Sequence, residues 1–250
     1  MVLPCGIVGL PNVGKSSLFK ALTGNETAIE NFPYTTTESN IGVVDVPDSR
    51  LSKLSEMEQP HKTTPNTVEF IDIAGLAKGA SQGEGLGNGF LDSIRHSDAI
   101  IHVIRCFDND NIVHINTSVN PVRDKEELDF ELQLKDLETA VKSIERNRKA
   151  AKGGDKKIAQ LIQLLEKVKE HLDEGGFVRE MKFTPEEWKM LKNYSFLTGK
   201  KILYVANVDD AGLNGNKHVD ALKESIAEEN AEIVILNAKL EAEIAEIEDD

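Results

Sequence analysis

The stretch GIVGLPNVGKSSLF, from Gly6 to Phe19, constrains the chain more than any other. An apolar, strand-like run enters a glycine-rich turn and leaves it into a helical pattern. Within it Gly9, Gly14, Lys15 and Ser16 satisfy G-x-x-x-x-G-K-[ST], the spacing of a phosphate-binding loop. Glycine is needed there because backbone N–H groups must curl around phosphates with no Cβ in the way. Lys15 is expected to reach the β- and γ-phosphates of a nucleotide and the Ser16 hydroxyl to ligate Mg²⁺. Asn12, Val13, Gly14 and Ser17 complete the expected cradle.

A chain built around such a loop must supply parallel strands, and five further apolar runs have strand length: IGVVDV, TVEFIDIAG, AIIHVIRCF, ILYVAN and EIVILN. Several are apolar almost throughout, as strands covered on both faces are. The rhythm predicts a three-layer α/β domain with a mostly parallel sheet. Between the fourth and fifth runs of the whole series the period changes. Phe130, Leu134, Leu137, Val141 and Ile144 form one helical stripe. Ile158, Leu161, Ile162, Leu165, Val168 and Leu172 form a second, with AKGGD between them. An antiparallel helical hairpin is expected over 128–175, inserted into a nucleotide-binding domain made of 1–127 and 176–250. TPEEW at 184–188 reads as a capped helix start, Thr184 at the N-cap and Glu187 closing a capping box.

Two further segments bear on phosphate chemistry. Asp72 ends an apolar run, where a Mg²⁺-side acid belongs, and Gly75 is placed to offer its N–H to a γ-phosphate. Behind them GLAKGASQGEGLGNGF holds six glycines in sixteen residues, as a switch loop would. In NFPYTTTESNIG, Thr36 is assigned as the threonine that closes over Mg²⁺; a plain β-prone polar loop is the alternative.

Charge narrows the partners. With 29 Lys and Arg against 43 Asp and Glu, the net charge is −14, which opposes non-specific attraction to membranes and nucleic acid. Lys142–Lys157 runs against that trend, with seven basic residues and two acids. The chain lacks a signal-peptide pattern and an 18-residue apolar run, and its two cysteines, Cys5 and Cys106, sit in apolar stretches. A cytoplasmic location and no membrane are expected. His102 and His114 have no metal partner at ligand spacing and read as structural.

Together GLPNVGKSSLF, NFPYTTTESNIG, DIAGLAKGASQGEGLGNGFL, VIRCFDNDNIVH, NPVRD and YVANVDD resemble the Obg-like ATPase (YchF) family of P-loop NTPases, over essentially the whole chain. The resemblance implies a cytoplasmic nucleotidase that prefers ATP and associates with ribosomes. It also implies a C-terminal TGS domain, which the 250 residues do not include. The family usually has Asn-x-x-Glu on the base-reading strand, where this chain has Asn207, Val208 and Asp210; Asn237, Ala238 and Lys239 match the other base-side loop. Asp210 stands where a guanine reader puts its acid, and Asn207 has an amide able to pair with adenine N6 and N7. The residues alone leave the base open between ATP and GTP; the resemblance implies ATP. Leu76 replaces the glutamine that orients water in many relatives, so turnover is expected to be slow. Asn12 resembles the asparagine through which related enzymes bind K⁺; bracing the loop is the alternative. The chain reads as an ATP hydrolase acting as a switch, with Lys15 and Gly75 at the catalytic centre. The alternatives are a GTPase, or a nucleotide-gated module whose basic hairpin tip docks on ribosome or RNA.

Overall fold

The computed structural model describes residues 2–24, 40–73, 88–150 and 156–247, leaving aside the side chains of 88–90, 92 and 150. All six apolar runs are strands of one sheet: β1 (Leu3–Val8), β2 (Asn40–Asp45), β3 (Thr67–Asp72), β4 (Ala99–Arg105), β5 (Lys201–Asn207) and β6 (Glu232–Leu236). Their order is β2-β3-β1-β4-β5-β6. Only β2 runs antiparallel, paired with β3; the other pairs are parallel. The near-continuous apolar character of β1, β4 and β5 has its cause in this order: they are central, and Ile7, Val103, Ile104 and Ala206 are almost completely buried. The carboxyl ends of five parallel strands therefore share one edge of the sheet, where open α/β folds bind ligands.

The helices are α1 (Lys15–Thr23), α2 (Ser49–Glu58), α3 (Asn88–His96), α4 (Pro121–Ala150), α5 (Lys156–Asp173), α6 (Pro185–Leu191), α7 (Lys217–Ser225) and α8 (Ala238–Ile244). The capping box of α6 is formed as its sequence reads. The Glu187 N–H donates to Thr184 Oγ1 at 3.2 Å, and the Thr184 N–H donates to Glu187 Oε2 at 2.9 Å. Helices α4 and α5 pack against each other as the inserted hairpin; the AKGGD turn lies outside the described residues.

The hairpin differs from its sequence pattern in phase. Phe130 and Leu134 are 59% and 39% exposed, whereas Leu128 and Leu132 are buried. The reason is that α4 is much longer than α5. Its first turns pack on the sheet domain, and Leu128 and Leu132 belong to the core of that domain, while Ala140 and Ile144 join Leu164, Leu165 and Val168 of α5 in a separate core. One helix thus serves two partners on different faces, which a single apolar stripe does not describe.

Buried polar groups fix the foot of α4. Lys125 Nζ contacts Asp129 Oδ2 at 2.8 Å and Glu229 Oε1 at 2.6 Å. Glu229 Oε2 also accepts from the Tyr204 hydroxyl at 2.8 Å and from Arg179 at 3.0 Å. Further along, buried Asp136 accepts from the N–H groups of Leu197 (2.8 Å) and Thr198 (2.7 Å) and from the Thr198 hydroxyl (2.7 Å). Those residues form a short 3-10 turn immediately before β5. Burial pushes the Asp136 carboxyl up to about 6, against the pull of its three donors. Asp136→Ala removes the acceptor for two buried N–H groups, so it should destabilise the chain by about 3 kcal/mol. Urea unfolding measures this, and a loss within experimental error would show that water replaces the carboxylate.

Candidate functional site

The phosphate-binding pattern folds into a tight loop between β1 and α1. Gly9 has φ +151°, and a Cβ there would lie 2.4 Å from the Val103 carbonyl oxygen, a backbone atom that cannot move aside. Gly14 has φ +103°, and a Cβ would lie 2.3 Å from Asn207 Nδ2. Both positions admit glycine alone, one for close strand contact and one for contact with β5. No side chain caps α1 at Gly14. The first N–H groups of that helix face the cleft with the positive end of its dipole, an arrangement that attracts anions.

Lys15 is buried, and its ammonium donates to the carbonyls of Gly9 (3.0 Å) and Leu10 (2.8 Å). Burial pushes it down to about 8, with Asp72 pulling the other way. The Ser16 hydroxyl donates to Asp72 Oδ2 at 3.4 Å, so a hydroxyl and a carboxylate oxygen converge beside the loop. Burial raises the Asp72 carboxyl, opposed by Lys15 and then Ser16. Two hard oxygen donors and no sulfur or nitrogen donor suit Mg²⁺, which keeps several waters and takes few protein ligands. Thr36 and Gly75 lie outside the described residues, as does Leu76.

The base-side residues are gathered around the same cleft, whose volume is about 610 Å³ and whose lining includes Lys15, Ser16, Phe107, Val208, Asp210 and Asn237. Asn207, 5% exposed, spends both polar atoms on the protein. Its Nδ2 donates to the Val13 carbonyl at 2.8 Å, and its Oδ1 accepts from the Ala238 N–H at 2.9 Å. The amide is a fastener joining the phosphate loop to the loop after β6, with the second hydrogen of Nδ2 not used in that contact. Val208 is buried. The Asn237 Oδ1 accepts from the N–H groups of Lys239 (3.1 Å) and Leu240 (3.2 Å), capping α8, while its Nδ2 donates to Asp210 Oδ1 at 2.7 Å. Ser17 and Lys239 also line the cleft. Asn12 sits at φ +62° and its Nδ2 donates to the Val113 carbonyl at 3.1 Å, a brace between two loops.

Sequence reasoning missed Arg105. This side chain, 1% exposed at the end of β4, donates to the carbonyls of Phe107 (3.0 Å), Asn109 (3.0 Å) and Ile112 (3.0 Å). Phe107, Asn109 and Ile112 all line the cleft, so one guanidinium shapes an entire wall. The signal was an arginine inside an otherwise apolar strand, since a charge is buried only where it is paired or fully bonded. His102 and His114 are structural as read: His102 is buried against the Tyr204 ring, and His114 contacts Asp124 at 2.9 Å. Arg105→Met takes a donor from three carbonyls, of which Asn109 keeps the Ile112 N–H at 3.2 Å, so amide exchange over 107–113 should rise about tenfold or more while β1 and β5 stay protected. Unchanged exchange would mean that the wall holds itself.

Comparison with known proteins places this arrangement in a family. Residues 4–144 match the family model described as 50S ribosome-binding GTPase. The chain is 48% identical over its full length to the ribosome-binding ATPase YchF of Escherichia coli O157:H7, spanning 69% of that protein. It is 49% identical, over 99% of its length, to the Bacillus subtilis (strain 168) protein of the same name, again spanning 69%. Among solved structures, the Schizosaccharomyces pombe YchF GTPase is similar with a TM-score of 0.82 at 33% identity, covering 98% of this chain and 68% of that one. With this identity and coverage, the chain that carries a phosphate loop at the end of β1, a carboxylate at the end of β3 and an asparagine at the end of β5 belongs to the YchF family, and its residues 4–144 to the 50S ribosome-binding GTPase family.

Proposed function

We propose that the chain is a Mg²⁺-dependent nucleotide switch that hydrolyses ATP to ADP and phosphate and works on the ribosome. The observation that carries this reading is the convergence of Lys15, the uncapped start of α1 and the Ser16–Asp72 oxygen pair at one end of the cleft. Lys15 and the N–H groups of Gly14, Lys15 and Ser16 hold the β- and γ-phosphates, with Val13 and Ser17 completing the cradle. Ser16, Asp72 and Thr36 hold Mg²⁺, which neutralises charge between those phosphates. Gly75 offers its N–H to the γ-phosphate. Leu76 has no polar side-chain atom for water, which favours slow turnover and a role as a timed switch. Asn12 is the K⁺ contact in this reading: its amide nitrogen is committed to Val113, which leaves its carbonyl oxygen for a cation. The names of the two bacterial relatives, ribosome-binding ATPases, support ATP and the ribosome as partner, while the Schizosaccharomyces pombe relative is named a GTPase.

The hairpin, approximately 128–175 as an inserted unit, supplies the docking surface. Arg146 and Lys149 near the end of α4, and Lys156 at the start of α5, are exposed and lack a carboxylate partner among the described residues; Arg148 is paired with Glu166 at 2.6 Å. A local positive patch on an acidic chain directs one end toward RNA phosphates while the remaining surface is repelled.

Two measurements test these assignments. ADP affinity should fall as pH rises through about 8, because the protonated Lys15 binds phosphate and its proton is lost there. Lys15→Ala should bind at least about tenfold more weakly and lose that pH step; full affinity in the folded variant would remove Lys15 from the site. Replacing Arg146, Arg148, Lys149 and Lys152 with glutamine should abolish salt-sensitive co-sedimentation with ribosomes while basal ATP hydrolysis is kept. Unchanged sedimentation would leave the tip without this role.

A further inference from the structure

The polar side chains that line the cleft away from Lys15 are almost all spent on the protein itself. Asn207 uses both polar atoms to join two loops. Asp209 accepts from the Gly212 N–H at 3.0 Å and caps its own turn. Asn109 accepts from the Asn111 N–H at 2.9 Å. Lys239 faces Glu243 at 3.7 Å on the exposed side of α8. Val208 contributes only apolar surface. Asn207 Nδ2 keeps a second hydrogen, and the Asn237–Asp210 pair sets a donor directly beside a carboxylate.

Its orientation is determined by the helix. The Asn237 Oδ1 is required by two N–H groups at the start of α8, so the amide cannot turn over without losing both bonds. Nδ2 must therefore face Asp210, and it does so at 2.7 Å. One hydrogen of Nδ2 is given to the carboxylate, and the second is left for a ligand. A solitary carboxylate offers only acceptors, which suits guanine, whose N1–H and 2-amino group are donors. Paired with Asn237, the same carboxylate has one oxygen engaged and an N–H beside it. Guanine brings donors toward that donor and must share the carboxylate with a bond already made to it. Adenine presents an acceptor at N1, which the free N–H matches.

We propose that the Asn237–Asp210 pair is the specificity-determining element of this site, presenting a donor to the purine edge so that adenine is accepted and guanine disfavoured. This rests on the nucleotide-binding reading above and supplies the base preference of that same site. It assigns to Asn237 a role in selection besides its role as a helix cap.

The test is calorimetric measurement of ADP and GDP affinity for the unmodified chain, Asn237→Ser, Asp210→Ala and the double variant, with thermal melting to verify folding. Serine keeps an oxygen for the N-cap and removes the amide nitrogen with both its hydrogens, leaving one hydroxyl hydrogen on a shorter side chain. The unmodified chain should prefer ADP, and Asn237→Ser should reduce the ADP-to-GDP preference about tenfold, the effect of one well-placed hydrogen bond. In the Asp210→Ala background the serine substitution should change the preference less, since it removes the donor that the α8 cap still holds in place but no longer frees a carboxylate for guanine. A preference for ADP that Asn237→Ser leaves intact overturns the proposal while the ATP reading stands. An equal effect in both backgrounds overturns the pair as the unit of selection. A preference for GDP in the unmodified chain overturns the proposal together with the choice of adenine, and binding of neither nucleotide overturns the underlying reading.

Discussion

The side-chain amide of Asn207 is the joint on which the site depends. It ends β5, donates to the phosphate loop at Val13 and accepts from the first N–H of α8 at Ala238. Three segments far apart in the chain meet at one planar group with almost no solvent exposure. The approach is so close that a Cβ on Gly14 would collide with it. A buried amide with both ends engaged gains the most from its hydrogen bonds and loses the most if either is broken. The geometry at the phosphate end and the geometry of the loop after β6 are therefore not independent.

That coupling extends to α8. Asn237 caps it, Ala238 and Ala242 bury its inner face against the domain, and α1 packs alongside. An ion pair between Lys20 and Glu246 ties the two helices further along. Small residues on the inner face let the two helix backbones approach closely, and the acids on the outer face remain in water. Ala238 and Ala242 thus pack inward, while Glu241 and Glu243 are exposed.

Some of this was legible in the residues and some was not, for physical reasons. The six strands were visible because a strand covered on both faces is apolar without interruption, and the phosphate loop was visible because its glycines are sterically compulsory. The capping box of α6 was visible because every partner lies within four residues. The phase of α4 was misread, since periodicity reveals that a helix buries a stripe without revealing which partner covers it, and α4 has two. Asn207 was placed at the site, but its contacts with the protein were not foreseen, because its partners at Val13 and Ala238 lie 194 and 31 residues away. The cluster of Lys125, Asp129, Glu229, Tyr204 and Arg179 escaped entirely: each residue alone is an ordinary charge or ring, and only the fold collects them.

Arg105 makes all three of its hydrogen bonds to the wall of the cleft with backbone oxygens, and its guanidinium lies 4.8 Å from the centre of the Phe107 ring. Every amino acid carries such an oxygen, so the path of the 107–112 loop is specified in part by a residue outside it, beside the bonds that Asp108 and Asn109 make from within. Mutational drift can therefore rewrite what Ile112 displays to a ligand without removing the bond that its carbonyl makes to Arg105. Recognition and architecture are held in part on separate residues, and a chain so arranged can acquire a new preference at Ile112 while keeping the frame that presents it.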